Sequence, residues 1–233
     1  MKLICWVIVA ISITSVSAQD AAPKAEESVR PGINEKFLDP NLKVDEWLKR
    51  FEVESREVFH ARAAVLAACK VKKGTTVADV GAGTGLYSRL FAEAVGIEGW
   101  VYAVDINARF LEHIQARAKQ EKQSNITTVL SPQDSVSLPP ASIDLVFICD
   151  TYHHFEFPRS TMASVTRAMK PGAVLVLVDF DRVVGKSSPW ILGHVRAGKK
   201  VFRREIEEAG LSFVEKVEIE GFAENYFLRF KKN

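Results

Sequence analysis

The pattern with the clearest chemical meaning is an aspartate followed by alternating glycines. Asp79 comes two residues before the first of Gly81, Gly83 and Gly85. Glycines adopt positive φ and let a ligand approach the backbone closely. A helix that starts behind them directs its N–H groups at the same place. The carboxylate would repel a pyrophosphate and attract a positive charge or an amino group, so we expect the turn to hold a ligand with a cationic part.

The glycine spacing separates this turn from the dinucleotide fingerprint, which is G-x-G-x-x-G, whereas this chain has G-x-G-x-G. The turn resembles motif I of the class I S-adenosylmethionine (SAM) dependent methyltransferases. The resemblance implies SAM as the cofactor. It also implies that the amino-acid part of SAM lies along the turn, which consists of Asp79, Gly81, Ala82, Gly83, Thr84 and Gly85. An NAD-type oxidoreductase with an unusual turn is the less favoured interpretation.

A second carboxylate follows the next apolar segment. Asp105 ends the string Trp100-Val101-Tyr102-Ala103-Val104-Asp105, which is typical of a strand. A carboxylate at the end of such a strand can accept hydrogen bonds from both ribose hydroxyls of a nucleoside. We therefore predict that Asp105 and its neighbour Ile106 bind the cofactor. The competing interpretation makes Asp105 the N-cap of the following helix.

A third acidic residue is a candidate for the adenine end. In similar methyltransferases an acidic residue, a short loop, Leu-Pro and a strand follow each other, and the acidic residue meets the adenine amino group. Asp134 precedes Leu138-Pro139 in this way, although the connection to the next strand is short. A turn-forming role for Asp134 is an almost equal alternative.

Polar residues crowd the end of the next predicted strand, in the string Asp150-Thr151-Tyr152-His153-His154-Phe155. The string resembles the ending found in the quinone-biosynthesis-like branch of small-molecule methyltransferases. Imidazole accepts a proton near neutral pH, so His153 and His154 are candidate catalytic residues. Asp150 is a candidate for the cofactor and Tyr152 for the substrate. We predict no metal, because the two histidines are adjacent and no acidic partner has ligand spacing.

Two further segments are expected to border the site. The irregular stretch 180–198 carries the substrate candidates Trp190, His194 and Arg196, with simple loop packing as an equal alternative. The predicted helical lid, 35–73, contains Arg56, Glu57, His60 and Arg62. Some of these side chains are candidates to face the cofactor, but a solvated polar helix face is the favoured interpretation.

The order of these elements predicts the architecture. Strands alternate with helices, which indicates an α/β fold with a mostly parallel sheet and helices on both faces. The resemblance covers about 40–233. It implies a Rossmann-like, seven-stranded sheet of order 3-2-1-4-5-7-6 with strand 7 antiparallel. Ligands of such sheets bind across the carboxyl ends of the strands.

The ends and the composition set the remaining expectations. Residues 1–18 resemble a secretory signal peptide, which predicts export to the periplasm or medium, with an uncleaved membrane anchor as the alternative. No stable membrane span is predicted after cleavage, and 19–34 are expected to be a disordered tail. A net charge of +2 over 233 residues gives no nucleic-acid footprint. Cys69 and Cys149 are expected to be free thiols, and the oligomeric state is open.

Together these features predict an enzyme that transfers a methyl group from SAM to a small acceptor, apolar and quinone-like or lipid-like by resemblance. The alternative is a non-catalytic protein that binds SAM or a related nucleoside as a sensor or scaffold. The predicted export favours that alternative, because SAM is made in the cytoplasm.

Overall fold

The computed structural model describes residues 25–233. The predicted signal peptide at 1–18 lies outside the described residues and stays a prediction. Within 25–233, none of the helices combines the length and apolar character that crossing a bilayer requires.

Seven strands form one sheet of order β3-β2-β1-β4-β5-β7-β6, so the predicted topology is confirmed. The first five are parallel to one another, and β7 runs antiparallel to both β5 and β6. The strands are β1 Thr76–Val80, β2 Trp100–Asp105, β3 Ile126–Leu130, β4 Ile143–Cys149, β5 Met169–Phe180, β6 Leu211–Val217 and β7 Asn225–Lys232.

Helices cover both faces of the sheet, because successive side chains of the inner strands point to opposite faces and are apolar on both. Val77 packs with α3 and α4 on one face, and Ala78 packs with α6 and α8 on the other. The α-helices of the described chain are α1 Val44–Phe51, α2 Glu57–His60, α3 Arg62–Ala68, α4 Leu86–Val95, α5 Ala108–Gln120, α6 Pro158–Ala168, α7 Pro189–His194 and α8 Lys199–Glu208.

The N-terminal lid is broken into short helices, where the sequence predicted a helical lid over 35–73. A 3₁₀ turn at Glu35–Phe37 precedes α1, and residues 52–56 separate α1 from α2. The break has a packing reason. Phe51 of α1 packs toward Phe110 of α5, with ring centroids 6.4 Å apart. Val58 of α2 instead belongs to the core cluster around Tyr87. One straight helix would not reach both surfaces.

Residues 25–34, which we call the N-terminal strap, lie against the domain, so the prediction of a disordered tail is wrong for them. Glu26 accepts hydrogen bonds from the first N–H groups of α6, at 2.9 Å from Arg159 and 2.7 Å from Ser160. The Val29 N–H donates to the Glu156 carbonyl at 2.9 Å. The low hydrophobicity of the segment indicated disorder, but polar pairing rather than apolar burial holds it in place.

Two further predictions from the sequence concern the segment 180–198 and the cysteines. The predicted irregular insertion contains a short helix, α7, which the Ser188 side chain caps at the Ile191 N–H. Cys69 and Cys149 are both free thiols, as expected.

Glu57 ties the lid to the loop before β7, and its removal should destabilise the fold. Its carboxylate accepts hydrogen bonds from the N–H groups of Ala223, Glu224 and Asn225 at 2.8–3.0 Å. We expect Glu57→Ala to lower the free energy of unfolding by about 1–3 kcal/mol in urea titrations. Glu98→Ala, at an exposed loop carboxylate, is the matched control and should change it by less than about 0.5 kcal/mol. Equal effects of the two changes would contradict the role given to Glu57.

Candidate active site

A large cavity lies at the carboxyl ends of β1, β2 and β4, under the lid and the strap. Its volume is about 750 Å³, within the range of sites for small molecules and cofactors. One end is polar and formed by the glycine turn and two carboxylates. The other end is aromatic and carries the imidazoles. The residues that line both ends include Asp79, Gly81, Ala82, Gly83, Thr84, Asp105, Ile106, Asp150, His153, His154, Trp190 and His194.

The glycine turn after β1 requires glycine at its first and last positions. Gly81 has φ +74°, and a Cβ there would lie 2.2 Å from the Thr151 side chain. Gly85 has φ +79°, and a Cβ there would lie 2.5 Å from Ile114 of α5. Gly85 is absent from the cavity wall, which corrects its assignment as a ligand contact. Its part is to let the turn enter α4 close against α5.

Asp79 is buried beneath the turn, with 3% of its surface exposed. The Ser88 hydroxyl donates a hydrogen bond to its Oδ2 at 2.6 Å. Burial raises the pKa of the Asp79 carboxyl to about 7, a rise that the Ser88 hydrogen bond opposes and the nearby Asp105 increases. A cation brought to this end of the cavity would therefore be stabilised by the ionised carboxylate, and would favour that ionised form.

Asp105 joins β2 to the glycine turn. Its Oδ2 accepts the Gly83 N–H at 2.8 Å, and its Oδ1 accepts the Asn107 N–H at 2.9 Å. Burial raises the pKa of the Asp105 carboxyl to about 6, although these hydrogen bonds act in the opposite direction. The N-cap of α5 is Asn107, whose side chain accepts the Arg109 N–H. The capping interpretation of Asp105 is therefore wrong, while its place beside the turn suits the contact with ribose hydroxyls.

Asp134 does not reach the cavity. It is exposed, whereas its neighbours Gln133 and Ser135 line the wall. Hydrogen bonds fix this orientation, because Gln133 accepts Asn34 Nδ2 at its side chain, at 2.7 Å, and Thr161 Oγ1 at its carbonyl, at 3.1 Å. The turn-forming alternative fits the position of Asp134 better, and its contact with adenine stays a prediction.

Asp150 lines the cavity at the end of β4, but its two oxygens already have partners. Arg56 of the lid donates to Oδ2 at 2.8 Å, and Asn225 donates to Oδ1 at 2.7 Å. Burial raises the pKa of the Asp150 carboxyl, and the Arg56 charge opposes that rise. Arg56 therefore faces the site, contrary to the favoured interpretation of the lid as a solvated face.

The other three polar candidates of the lid lie away from the cavity wall. Glu57 binds the loop before β7, as described above. His60 and Arg62 both contact the exposed Glu54. For these residues the interpretation as structural or surface groups is the better one.

His153 has a carboxylate partner that the sequence analysis missed. Its Nδ1 lies 2.7 Å from Oδ1 of Asp179, and its backbone N–H donates to Oδ2 at 3.1 Å. Asp179 is fully buried near the end of β5, and His153 is 1% exposed. An ionised carboxylate can only accept a hydrogen bond, so Nδ1 of His153 is the donor. In a neutral ring Nε2 is then the acceptor. The available signal was an acidic residue at the end of the fifth predicted strand.

His154 is oriented by the strap. Its Nδ1 lies 3.2 Å from Oδ1 of Asn34, and the Asn34 amide nitrogen donates to Gln133 and to the His154 carbonyl. Since the amide nitrogen is engaged elsewhere, Oδ1 is the acceptor and His154 Nδ1 is the donor. Its Nε2 then carries a lone pair, and it lies 3.3 Å from Nε2 of His194.

His194 and Trp190 lie together on α7 at the mouth of the cavity. Their rings stack with centroids 4.7 Å apart. Burial, together with the neighbouring imidazoles and the Arg30 charge, lowers the pKa of His194 to about 4 and that of His154 to about 2. Both rings are therefore neutral at pH 7, which keeps them available as acceptors or ligands rather than as cations.

Tyr152 and Arg196 do not line the cavity, so the structure does not bring them together with the other substrate candidates. Tyr152 is fully buried between Phe155 and Phe202, with ring centroids 4.9 and 5.0 Å away. Arg196 forms a two-pronged pair with Glu205 of α8, at 2.9 and 2.6 Å. The pair anchors the segment 180–198 onto α8.

The buried carboxylates predict how the stability of the domain changes with pH. The folded-state pKa of Asp79 is about 7, against 3.8 for an ordinary Asp. Its contribution to stability is therefore present below pH 4 and lost as the pH rises through 7. His154 acts with the opposite sign, since its pKa is lowered on folding, so the useful quantity is a difference between variants.

We expect Asp79→Asn to gain stability relative to the parent chain as the pH rises from 5 to 8. Urea titrations at each pH measure both chains. Asp134→Asn serves as the control because that carboxyl is exposed, and its difference from the parent should not change with pH. A constant difference for Asp79→Asn as well would contradict the raised pKa.

Comparisons with known proteins agree with this geometry. Residues 78–177 match the methyltransferase domain family. A ubiquinone/menaquinone biosynthesis C-methyltransferase, UbiE of Bordetella parapertussis, is 28% identical over 149 residues, which is 62% of this chain and 57% of that protein. An uncharacterized chloroplastic methyltransferase of Arabidopsis thaliana is 29% identical over 127 residues, 53% of this chain and 36% of that protein. The chain thus spans little more than half the length of one relative and about a third of the other.

A solved structure supports the fold over most of the chain. A SAM-dependent methyltransferase from Aquifex aeolicus aligns with a TM-score of 0.69 at 23% identity, over 81% of this chain and 98% of that one. The cavity, the glycine turn and the two buried carboxylates provide the concave, anionic site that a nucleoside with a sulfonium and an ammonium group requires. Residues 78–177 therefore resemble a methyltransferase domain, and the sheet has the Rossmann-like order of the SAM-dependent methyltransferase with which the chain aligns.

Proposed function

We propose that this protein transfers the methyl group of SAM to a small, apolar and aromatic acceptor of the quinone type. The observation that carries the proposal is the continuity of the cavity. One space connects the carboxylate end, at Asp79 and Asp105, with the aromatic and imidazole end, at His153 and Trp190. A cofactor and a second molecule can therefore meet inside it.

The polar end supplies the contacts for the cofactor. Asp105 offers lone pairs to ribose hydroxyls, and the Asp79 charge favours a cationic amino-acid part. Gln133 and Ser135 line the wall where the sequence placed the adenine contact, and they replace Asp134 in that role. SAM supplies a methyl group that is already activated, so the protein has mainly to align the acceptor and keep water out.

The aromatic end indicates the acceptor class. Phe37, Phe180 and Trp190 line this part of the cavity, and flat apolar surfaces bind flat apolar rings. The name of the Bordetella relative, a ubiquinone/menaquinone biosynthesis C-methyltransferase, indicates the same class of acceptor. A hydroquinone or phenol would combine such a ring with a hydroxyl that can give up a proton.

His153 is positioned to accept that proton. Asp179 holds its Nδ1, so its Nε2 has the lone pair, and the residue lines the cavity. Removing a phenolic proton increases the nucleophilicity of both the oxygen and the adjacent ring carbon. Asp179 stabilises the positive charge that His153 gains, as in other carboxylate–histidine pairs. In this assignment His153 is the general base and Asp179 is a positioning residue.

The lid and the strap exclude water from the reacting atoms. Phe51 and Trp47 of α1 border the cavity from the lid, and Asn34 of the strap fixes His154. Closing the site in this way strengthens the electrostatic contacts inside it and protects the transferred group from hydrolysis.

Binding of the cofactor is tested with two aspartate variants. We expect Asp105→Ala to raise the Kd for S-adenosylhomocysteine at least tenfold in calorimetry, because it removes the acceptor for the ribose hydroxyls and the support of Gly83. Asp134→Ala is the matched control and should change the Kd by less than twofold. The parent chain should be stabilised thermally by SAM and S-adenosylhomocysteine but not by NAD. A chain that ignores both nucleosides would refute the proposed function.

Transfer is tested with methyl-labelled SAM and a panel of hydroquinones, phenols and fatty acids. We expect turnover with the hydroquinones and phenols. Asp179→Asn should lower kcat by 10²-fold or more, with the Kd for S-adenosylhomocysteine unchanged within twofold. The pH profile of kcat should also change, which a purely structural loss would not cause. Cofactor binding without turnover on any acceptor would indicate the sensor interpretation instead.

A further inference from the structure

Three imidazoles converge at the aromatic end of the cavity, from two distant parts of the chain. His153 and His154 follow β4, and His194 comes from α7, 40 residues beyond His154. One ring nitrogen from each of the three lies within 4.8 Å of the other two. The sequence indicated no metal because it shows two adjacent histidines without ligand spacing, and the third is brought in only by the fold.

The hydrogen bonds around the cluster select the ring atoms that remain free to bind. Asp179 holds Nδ1 of His153, and Asn34 holds Nδ1 of His154. Both rings then keep a lone pair on Nε2, and Nε2 of His154 lies 3.3 Å from Nε2 of His194. A carboxylate or amide behind each ligating histidine is the usual outer shell of protein metal sites, where it fixes the tautomer and the ring orientation.

The distances suit a small transition ion. Nε2 of His154 and Nε2 of His194 lie 3.3 Å apart. With metal–nitrogen bonds of 2.0–2.1 Å, a tetrahedral site separates two nitrogens by about 3.3 Å. The widest separation in the cluster, up to 4.8 Å, exceeds this value, so ion binding requires the imidazole side chains to rotate closer together.

We propose that His153, His154 and His194 form a three-nitrogen site for a divalent transition ion of the zinc type, with an open coordination position facing the cavity. Three imidazole ligands suit zinc, cobalt, nickel or copper better than magnesium or calcium, which prefer oxygen ligands. Three protein ligands with a fourth position open is the arrangement of catalytic rather than structural zinc.

The surrounding charges act in both directions. Arg30 of the strap donates to the Gly193 carbonyl at 2.6 Å, next to His194, and its charge opposes a cation at the cluster. The buried carboxylate of Asp179 offsets that charge from the opposite side. The ion and a proton would compete for Nε2 of His153. With the ion bound, the metal rather than the imidazole would lower the pKa of a bound hydroxyl.

The test is a zinc titration of the full chain, stripped with a chelator and free of any affinity tag. We expect one zinc ion per chain by calorimetry and by competition with a chromophoric zinc indicator. Cobalt added in its place should give the visible absorption of a four- or five-coordinate nitrogen site. His194→Ala should weaken zinc binding at least tenfold, and Asp179→Asn by about 10–100-fold.

His60→Ala is the matched control, because His60 is a surface histidine with 63% of its side chain exposed. It should bind zinc as the parent does. Each variant is first shown to be folded by its circular dichroism spectrum and a cooperative urea transition. No stoichiometric zinc binding by the parent chain, or unchanged binding by His194→Ala, would overturn the proposal. The titration contains neither SAM nor acceptor, so its outcome is independent of whether the chain transfers methyl groups.

Discussion

The parallel register of the central strands is the constraint on which the rest of the site depends. Val80 of β1 pairs with Val104 of β2 and with Ile148 of β4, and Cys149 of β4 pairs with Val178 of β5. The strands therefore end at nearly the same level. Polar residues that are far apart in the chain therefore lie together at one edge of the sheet. The backbone leaves the sheet there, and its N–H and C=O groups can be paired outside the strands.

Four carboxylates lie at this edge, and they would repel each other if they had no hydrogen-bond partners. The structure gives every one a partner. Asp79 has the Ser88 hydroxyl, Asp105 has the Gly83 and Asn107 N–H groups, Asp150 has Arg56 and Asn225, and Asp179 has His153. Burial still raises the pKa of the first three. A cation at this edge would favour the ionised form of these carboxylates, so the edge suits a cationic nucleoside better than a pyrophosphate.

The N-terminal residues complete the site from above. Arg56 in the lid pairs with Asp150, and Asn34 in the strap fixes both His154 and Gln133. The strap has little apolar surface, so its order depends on polar contacts that only the folded domain offers. A segment of this composition would not hold this conformation by itself.

The sequence by itself determined the glycine turn and the positions of Asp79 and Asp105, because these follow from local patterns. The sheet order was implied by the family resemblance that those patterns carry. A buried strand, a glycine run and an acidic strand end are each readable within about ten residues. The break in the lid between α1 and α2 was not readable in this way, since it depends on two different surfaces that the lid must cover.

Only the tertiary structure decided which polar side chains enter the cavity. Asp134 and Arg196 have suitable chemistry, but one points to solvent and the other pairs with Glu205. Asp179 and Asn34 enter the site although no motif marks them. Their contacts join residues 26 and 120 positions apart, and the orientation of a side chain depends on such distant neighbours rather than on its own segment.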